Sequence, residues 1–320
     1  MSERGSARKP ASFRRAASAV DARKVAAFVA LAFGLSWSAA AVLYFAGVEY
    51  GTITSTVLVV VFFMWAPAAA AVAVQLWYGE PVRAGTGLVL GRLRWSVLAW
   101  LAPLALLAAT VGVGVALPGV SITTDYGAFL AEQGFSEEQI EQSLDALEAL
   151  PVPPLVLFVV QGLVAGVTIN AVAALGEELG WRGLLLTELS PLGFWQLSGV
   201  TGVVWGLWHA PIILQGHNFP AAPIAGVVTM TVWTIAASPV FTYLTVRARS
   251  VLAATFFHGS FNAVGSFSLV YLTGAGNLLT AAVGVAGIGA AVLAVVACVV
   301  HDRYLAAEQI TTGEPLSPWA

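Results

Sequence analysis

Glu177 and Glu178 stand side by side, with Arg182 four residues after the second, inside Leu175-Gly176-Glu177-Glu178-Leu179-Gly180-Trp181-Arg182-Gly183, a stretch that is otherwise apolar. One charged side chain at bilayer depth costs roughly 2.5–3.5 kcal/mol. Three together need partners, water or a metal, and the sequence supplies candidates in Trp205-Gly-Leu-Trp-His209 and in His258-Gly-Ser-Phe-Asn262. Adjacent helical residues point about 100° apart, so the two carboxylates diverge. Glu178 and Arg182, at i and i+4, pair along one face, which leaves Glu177 free to take a proton from water as a general base. A charge cluster that only pins its helix near the membrane interface is the competing reading. Trp205 lies one turn before His209, so its indole packs beside the imidazole, and Pro211 frees a backbone carbonyl that His209 can satisfy. Asn262, one turn beyond His258, is a neutral donor suited to an oxyanion or to fixing a histidine tautomer. Taken singly, each histidine also reads as a hydrogen-bonded core residue.

These residues have to be positioned by membrane helices. The 320-residue chain is 58% hydrophobic and only 10% charged, where soluble domains are about 25% charged. Its apolar runs do not alternate as barrel strands do, so the expected fold is an all-α polytopic transmembrane bundle of about eight spans. The spans are expected near 25–47, 52–78, 96–117, 154–189, 196–215, 223–246, 250–272 and 277–300. The fourth is too long for one straight crossing and is expected to tilt, to break near Gly162 or Gly166, or to project beyond the lipid. The organisation expected is a basic disordered tail over 1–24, accessory helices and an acidic loop over 25–153, a catalytic core over 154–272, and a last helix with a tail over 273–320. The lone Cys298 excludes an intrachain disulfide and reads as a buried inert thiol.

Charge sets the expected topology. Arg4, Arg8, Lys9, Arg14, Arg15, Arg23 and Lys24 precede the first span; Arg83, Arg92 and Arg94, then Arg247 and Arg249, then Arg303 fall on the same side. Arg182 is the remaining basic residue. By the positive-inside rule both termini are cytosolic, in the plasma membrane. The long loop 118–153, on the other side, holds Asp125, Glu132, Glu137, Glu138, Glu141, Asp145 and Glu148 and no Lys or Arg. Within it Ser136 and Gln139 form a capping box, with Phe135 and Ile140 as a staple; Ile140, Leu144 and Leu147 share one face. This reads as an amphipathic helix over the bundle rim, or as a partner or substrate gate. Counted from the cytosolic helix ends at 1.5 Å per residue, Glu177, His209 and His258 lie about 16, 20 and 10 Å deep. They are expected to meet in the cytosolic half of the membrane, around a cytosol-facing cavity. His217 and His301 read as ordinary surface residues.

The three motifs, Glu177-Glu178-x-x-x-Arg182, Trp205-x-x-x-His209 and His258-x-x-x-Asn262, resemble in order and spacing those of the CAAX protease and bacteriocin-processing (CPBP, or Abi) intramembrane proteases. Trp205 stands where that family usually has Phe, a conservative exchange. The resemblance covers about 170–265. It implies a membrane-embedded endopeptidase acting on a peptide or protein, lipidated in some members, with no nucleic acid partner. It implies Glu177 as general base, His209 as the residue that positions or activates water, His258 and Asn262 as oxyanion stabilisers, and Glu178 and Arg182 as structural. Zinc held by Glu177, His209 and His258 is one version of the mechanism; metal-free activation by Glu177 is the other. The sequence lacks His-Glu-x-x-His, so it is not a standard zincin. A proton- or cation-coupled transporter, a non-catalytic relative and a membrane adaptor are the alternatives from other classes.

Overall fold

The structure, a computed structural model, describes residues 19–132 and 135–320; the basic tail expected before residue 19 lies outside them. The chain is an all-α polytopic bundle. Six stretches are long and apolar enough to cross a membrane: Ala22–Phe45, Ile53–Trp77, Leu93–Gly114, Ile169–Leu214, Pro223–Ala248 and Asn277–Tyr304. Ile169–Leu214 is not one rod. A 3₁₀ turn at Ser190–Leu192 and Gly193, at φ 74°, fold it into two helices, because only glycine adopts that left-handed backbone without a steric cost.

The first four elements are α1 (Ala22–Phe45), α2 (Ile53–Leu58), α3 (Ala66–Trp77) and α4 (Val82–Gly85), with a π-helical turn over Val59–Met64 between α2 and α3. Lys24, expected in the solvated tail, is instead buried in the first turn of α1. Its Nζ reaches Glu188 at 2.5 Å and Glu80 at 2.7 Å. Next come α5 (Leu93–Gly114), the two-residue strand β1 (Ser121–Ile122), α6 (Tyr126–Glu132) and α7 (Glu137–Glu148). The Ser136–Gln139 capping box forms as expected.

The long fourth segment breaks at Thr168 (φ −117°, ψ −102°), two residues past Gly166. This gives α8 (Pro154–Val167) and α9 (Ile169–Glu178), the latter running through a π-helical turn at Leu179–Leu185 into α10 (Leu186–Leu189). After the 3₁₀ turn follow α11 (Gly193–Trp208), α12 (Ala210–Leu214) and α13 (Pro223–Ala248). The expected span 250–272 is shorter: α14 ends at Val264 (Val251–Val264), and α15 (Phe267–Tyr271) and strand β2 (Leu272–Thr273) follow, β2 pairing antiparallel with β1. The last span starts late, because α16 (Asn277–Thr280) is a single turn and α17 covers Val285–Tyr304. Gly276 caps the first of these, and the chain leaves the helix across 281–284 between them.

The helices alternate in direction, so the loops sort to two ends. One end carries Lys24, Arg83, Arg92, Arg94, Arg247, Arg249 and Arg303. The C-terminal tail folds back across it: Asp302 pairs with Arg247 and accepts the backbone N–H groups of Ile310 and Thr311, and Trp319 Nε1 donates to Thr187 Oγ1 at 3.0 Å. The other end is built from 46–52, 115–153, 215–222 and 265–284, which hold no Lys or Arg.

Candidate active site

Local packing sets the positions of the charged residues. A Cβ on Gly176 would sit 2.6 Å from the carbonyl oxygen of Met64, so glycine there lets α9 close onto the π turn before α3 and fixes the height of Glu177. A Cβ on Gly259 would lie 2.3 Å from the Gly166 carbonyl oxygen. α14 therefore rests directly on the α8–α9 break, with His258 turned toward α9. The wider π turn begins immediately after Glu178, a departure from α geometry that recurs at functional sites.

Glu177, Glu178 and Arg182 are all buried. Glu178 accepts from Arg182 Nη1 at 3.2 and 3.3 Å, the i, i+4 pair expected from the sequence. The guanidinium lies between two rings, 4.4 Å from the Trp205 centroid and 4.3 Å from that of Phe241, and its Nη2 reaches Ser238 Oγ at 3.2 Å. Such desolvated cation–π contacts, with the ion pair, explain how a buried arginine persists here. Glu178 has a second partner that the sequence reading missed: His258 Nδ1 lies 2.8 Å from Glu178 Oε1. Glu178 therefore orients an imidazole as well as the helix.

Glu177 points elsewhere, as expected. Its Oε2 accepts the indole N–H of Trp205 at 2.7 Å. A phenylalanine has no such donor, so the exchange read as conservative is a chemical difference. The ring of His209 bonds through Nδ1 to the Trp205 carbonyl oxygen at 2.8 Å, one turn back. The backbone N–H of His209 turns to Gly206 instead, at 3.2 Å. That bond fixes the proton on Nδ1, because a carbonyl only accepts, and leaves Nε2 as an acceptor. Trp205 is thus central: its ring also meets those of His209 and His258 at 5.9 and 5.5 Å.

Glu177, His209, His258 and Asn262 all line one cavity of about 700 Å³, together with Tyr50, Met64, Asn170, Trp233, His217 and Asn277. Asn262 stands exposed on its wall, one turn beyond His258. Two expectations change. His217 is not an ordinary surface residue: it lines the cavity beside Tyr50, with ring centroids 5.8 Å apart, and burial pushes its imidazole down to about 4. His301 is half-buried and lies 2.6 Å from Tyr243 Oη. The cavity mouth is also at the other end. Its outer lining comes from the 46–52, 215–222 and 265–284 loops, so it opens away from the arginine-bearing end to which the cytosol was assigned.

Two imidazoles and a carboxylate are a donor set that zinc accepts. The arrangement does not fit it. Among the described residues no three His, Cys, Asp or Glu side chains come together closely enough to hold a metal ion.

No curated protein matches the chain. Residues 154–264 match the family model described as type II CAAX prenyl endopeptidase Rce1-like. The matched stretch includes Glu177, Glu178, Arg182, His209, His258 and Asn262, so the segment that carries the candidate chemistry is similar to the Rce1-like CAAX prenyl endopeptidases.

Proposed function

We propose that this chain is an intramembrane endopeptidase in which Glu177 activates the hydrolytic water without a metal. The observation that carries the reading is that a carboxylate, two imidazoles and a carboxamide from three separate helical segments line one cavity. Trp205 holds Glu177 Oε2, and Oε1 remains to take a proton from water. His209, its Nδ1 proton directed to the Trp205 carbonyl, accepts a hydrogen bond at Nε2 from the water's other O–H, which aims the oxygen lone pair at the scissile carbonyl; that O–H proton leaves with the carboxyl product. As the C–O bond forms, negative charge gathers on the carbonyl oxygen. Asn262 Nδ2 donates to it, and so does Nε2–H of His258 in its imidazolium form, whose Nδ1–H is held by Glu178. Oriented donors in a water-poor site stabilise such charge far better than solvent does. The C–N bond then breaks, the proton on Glu177 passes to the leaving nitrogen, and the products are a carboxylate and an amine.

The substrate is a peptide or a protein segment, and the family description points to prenylated ones. The test is incubation of purified protein in detergent with a farnesylated CAAX-type peptide, its unmodified counterpart and a mixed peptide library, followed by mass spectrometry. Cleavage at defined bonds, lost in His209→Ala and in His258→Ala, is expected. A folded protein that cuts none of these peptides contradicts the reading.

A further inference from the structure

We infer that the active-site cavity opens to the non-cytosolic side of the membrane, so that the substrate is a peptide or membrane-protein segment delivered from that side. The inference rests on the endopeptidase reading for its substrate clause only. The helices alternate in direction, and every Lys and Arg of the described loops lies at one end, where the chain also starts and finishes its described course. Basic loops are retained in the cytosol. The cavity is walled at its outer rim by Tyr50, Gly51, His217, Asn218, Pro220 and Asn277, all at the end without basic residues. That end carries Glu49, Asp125, Glu137, Glu138, Glu141, Asp145 and Glu148. On the opposite end the C-terminal tail is strapped down by Asp302, Ser190 and Thr187, which covers the cytosolic ends of α10 and α11. A lipidated tail in the cytosol therefore meets the folded-back C-terminal tail, and a peptide outside meets the mouth.

Two single-cysteine proteins in a Cys298→Ala background test the orientation. Glu138→Cys marks the mouth end and Glu314→Cys the other, both at exposed positions. In intact expressing cells a membrane-impermeant maleimide is expected to label Glu138→Cys, and to reach Glu314→Cys only after lysis. The reverse pattern overturns the inference. Right-side-out vesicles given an added peptide that the detergent-solubilised enzyme cuts are expected to cleave it, and inside-out vesicles to spare it. Absence of cleavage even in detergent overturns the endopeptidase reading and the substrate clause with it, while the labelling still decides the orientation.

Discussion

The indole N–H of Trp205 lies 2.7 Å from Glu177 Oε2, and the backbone carbonyl of the same residue holds the ring of His209 at 2.8 Å. One tryptophan therefore sets the orientation of both groups proposed to act on the attacking water. Trp205→Phe keeps the ring that covers Arg182 and removes only the donor. A hydrogen bond to a charged group contributes about 1.5–3 kcal/mol, so kcat is expected to fall roughly 10- to 100-fold, with a protein that still folds and binds peptide. Steady-state kinetics beside a thermal melt check this. Wild-type kcat in Trp205→Phe means the bond has no part in catalysis.

Glu178 has two partners whose roles separate. Glu178→Leu strands Arg182, and breaking a buried pair costs about 3–5 kcal/mol, so a marked drop in thermal midpoint is expected. Adding Arg182→Met removes the stranded charge and should restore most of that stability. Cleavage is not expected to return, because His258 Nδ1 has lost its acceptor; a deficit of about tenfold or more follows from the misplaced ring. A double variant as active as wild type makes Glu178 structural only.

The half-buried His217 imidazole has a pH signature. Its proton is lost at about 4 in the folded protein against an ordinary 6.5. Between those values the unfolded chain binds the proton and the folded one does not, so stability rises with pH across that window and levels off above it. The thermal midpoint is therefore expected to drop between pH 6.5 and pH 4.5, and to drop less in His217→Gln. Equal slopes for the two proteins contradict the lowered proton affinity of this ring.

Much of the site was readable from residue spacing. The Glu178–Arg182 pair follows from helical periodicity, and the shared cavity from comparing depths along three apolar runs. The end at which that cavity opens was not readable, because depth along a helix is measured from either end and the opening depends on which loops pack over it. Glu178–His258 joins residues 80 apart in the chain, with no local signal to announce it. Trp in place of Phe at 205 conserves aromatic bulk but adds an indole N–H, and only the fold shows that Glu177 accepts it. The bundle itself was legible from hydropathy, but α14 was overextended, since Phe267–Thr273 is apolar enough to continue a helix and instead turns at Gly265 and pairs with Ser121–Ile122. Lys24 looked like tail because its partners, Glu80 and Glu188, are distant in sequence.

Metal dependence follows from the donor geometry. With no three donors gathered among the described residues, and with Nδ1 of both His209 and His258 already engaged, cleavage is expected to survive exhaustive treatment with 1,10-phenanthroline. Inactivation that is reversed by stoichiometric zinc shows that the side chains rearrange around a metal.

The most direct test of the central claim is single-turnover cleavage by wild-type protein and Glu177→Gln, purified in parallel and given the same peptide in detergent. Loss of a general base lowers rates about 10²- to 10⁴-fold. The expected result is cleavage by the wild type and a loss of that size in Glu177→Gln, with unchanged peptide binding and thermal midpoint. Turnover by Glu177→Gln at the wild-type rate would mean that the water is activated by some other group.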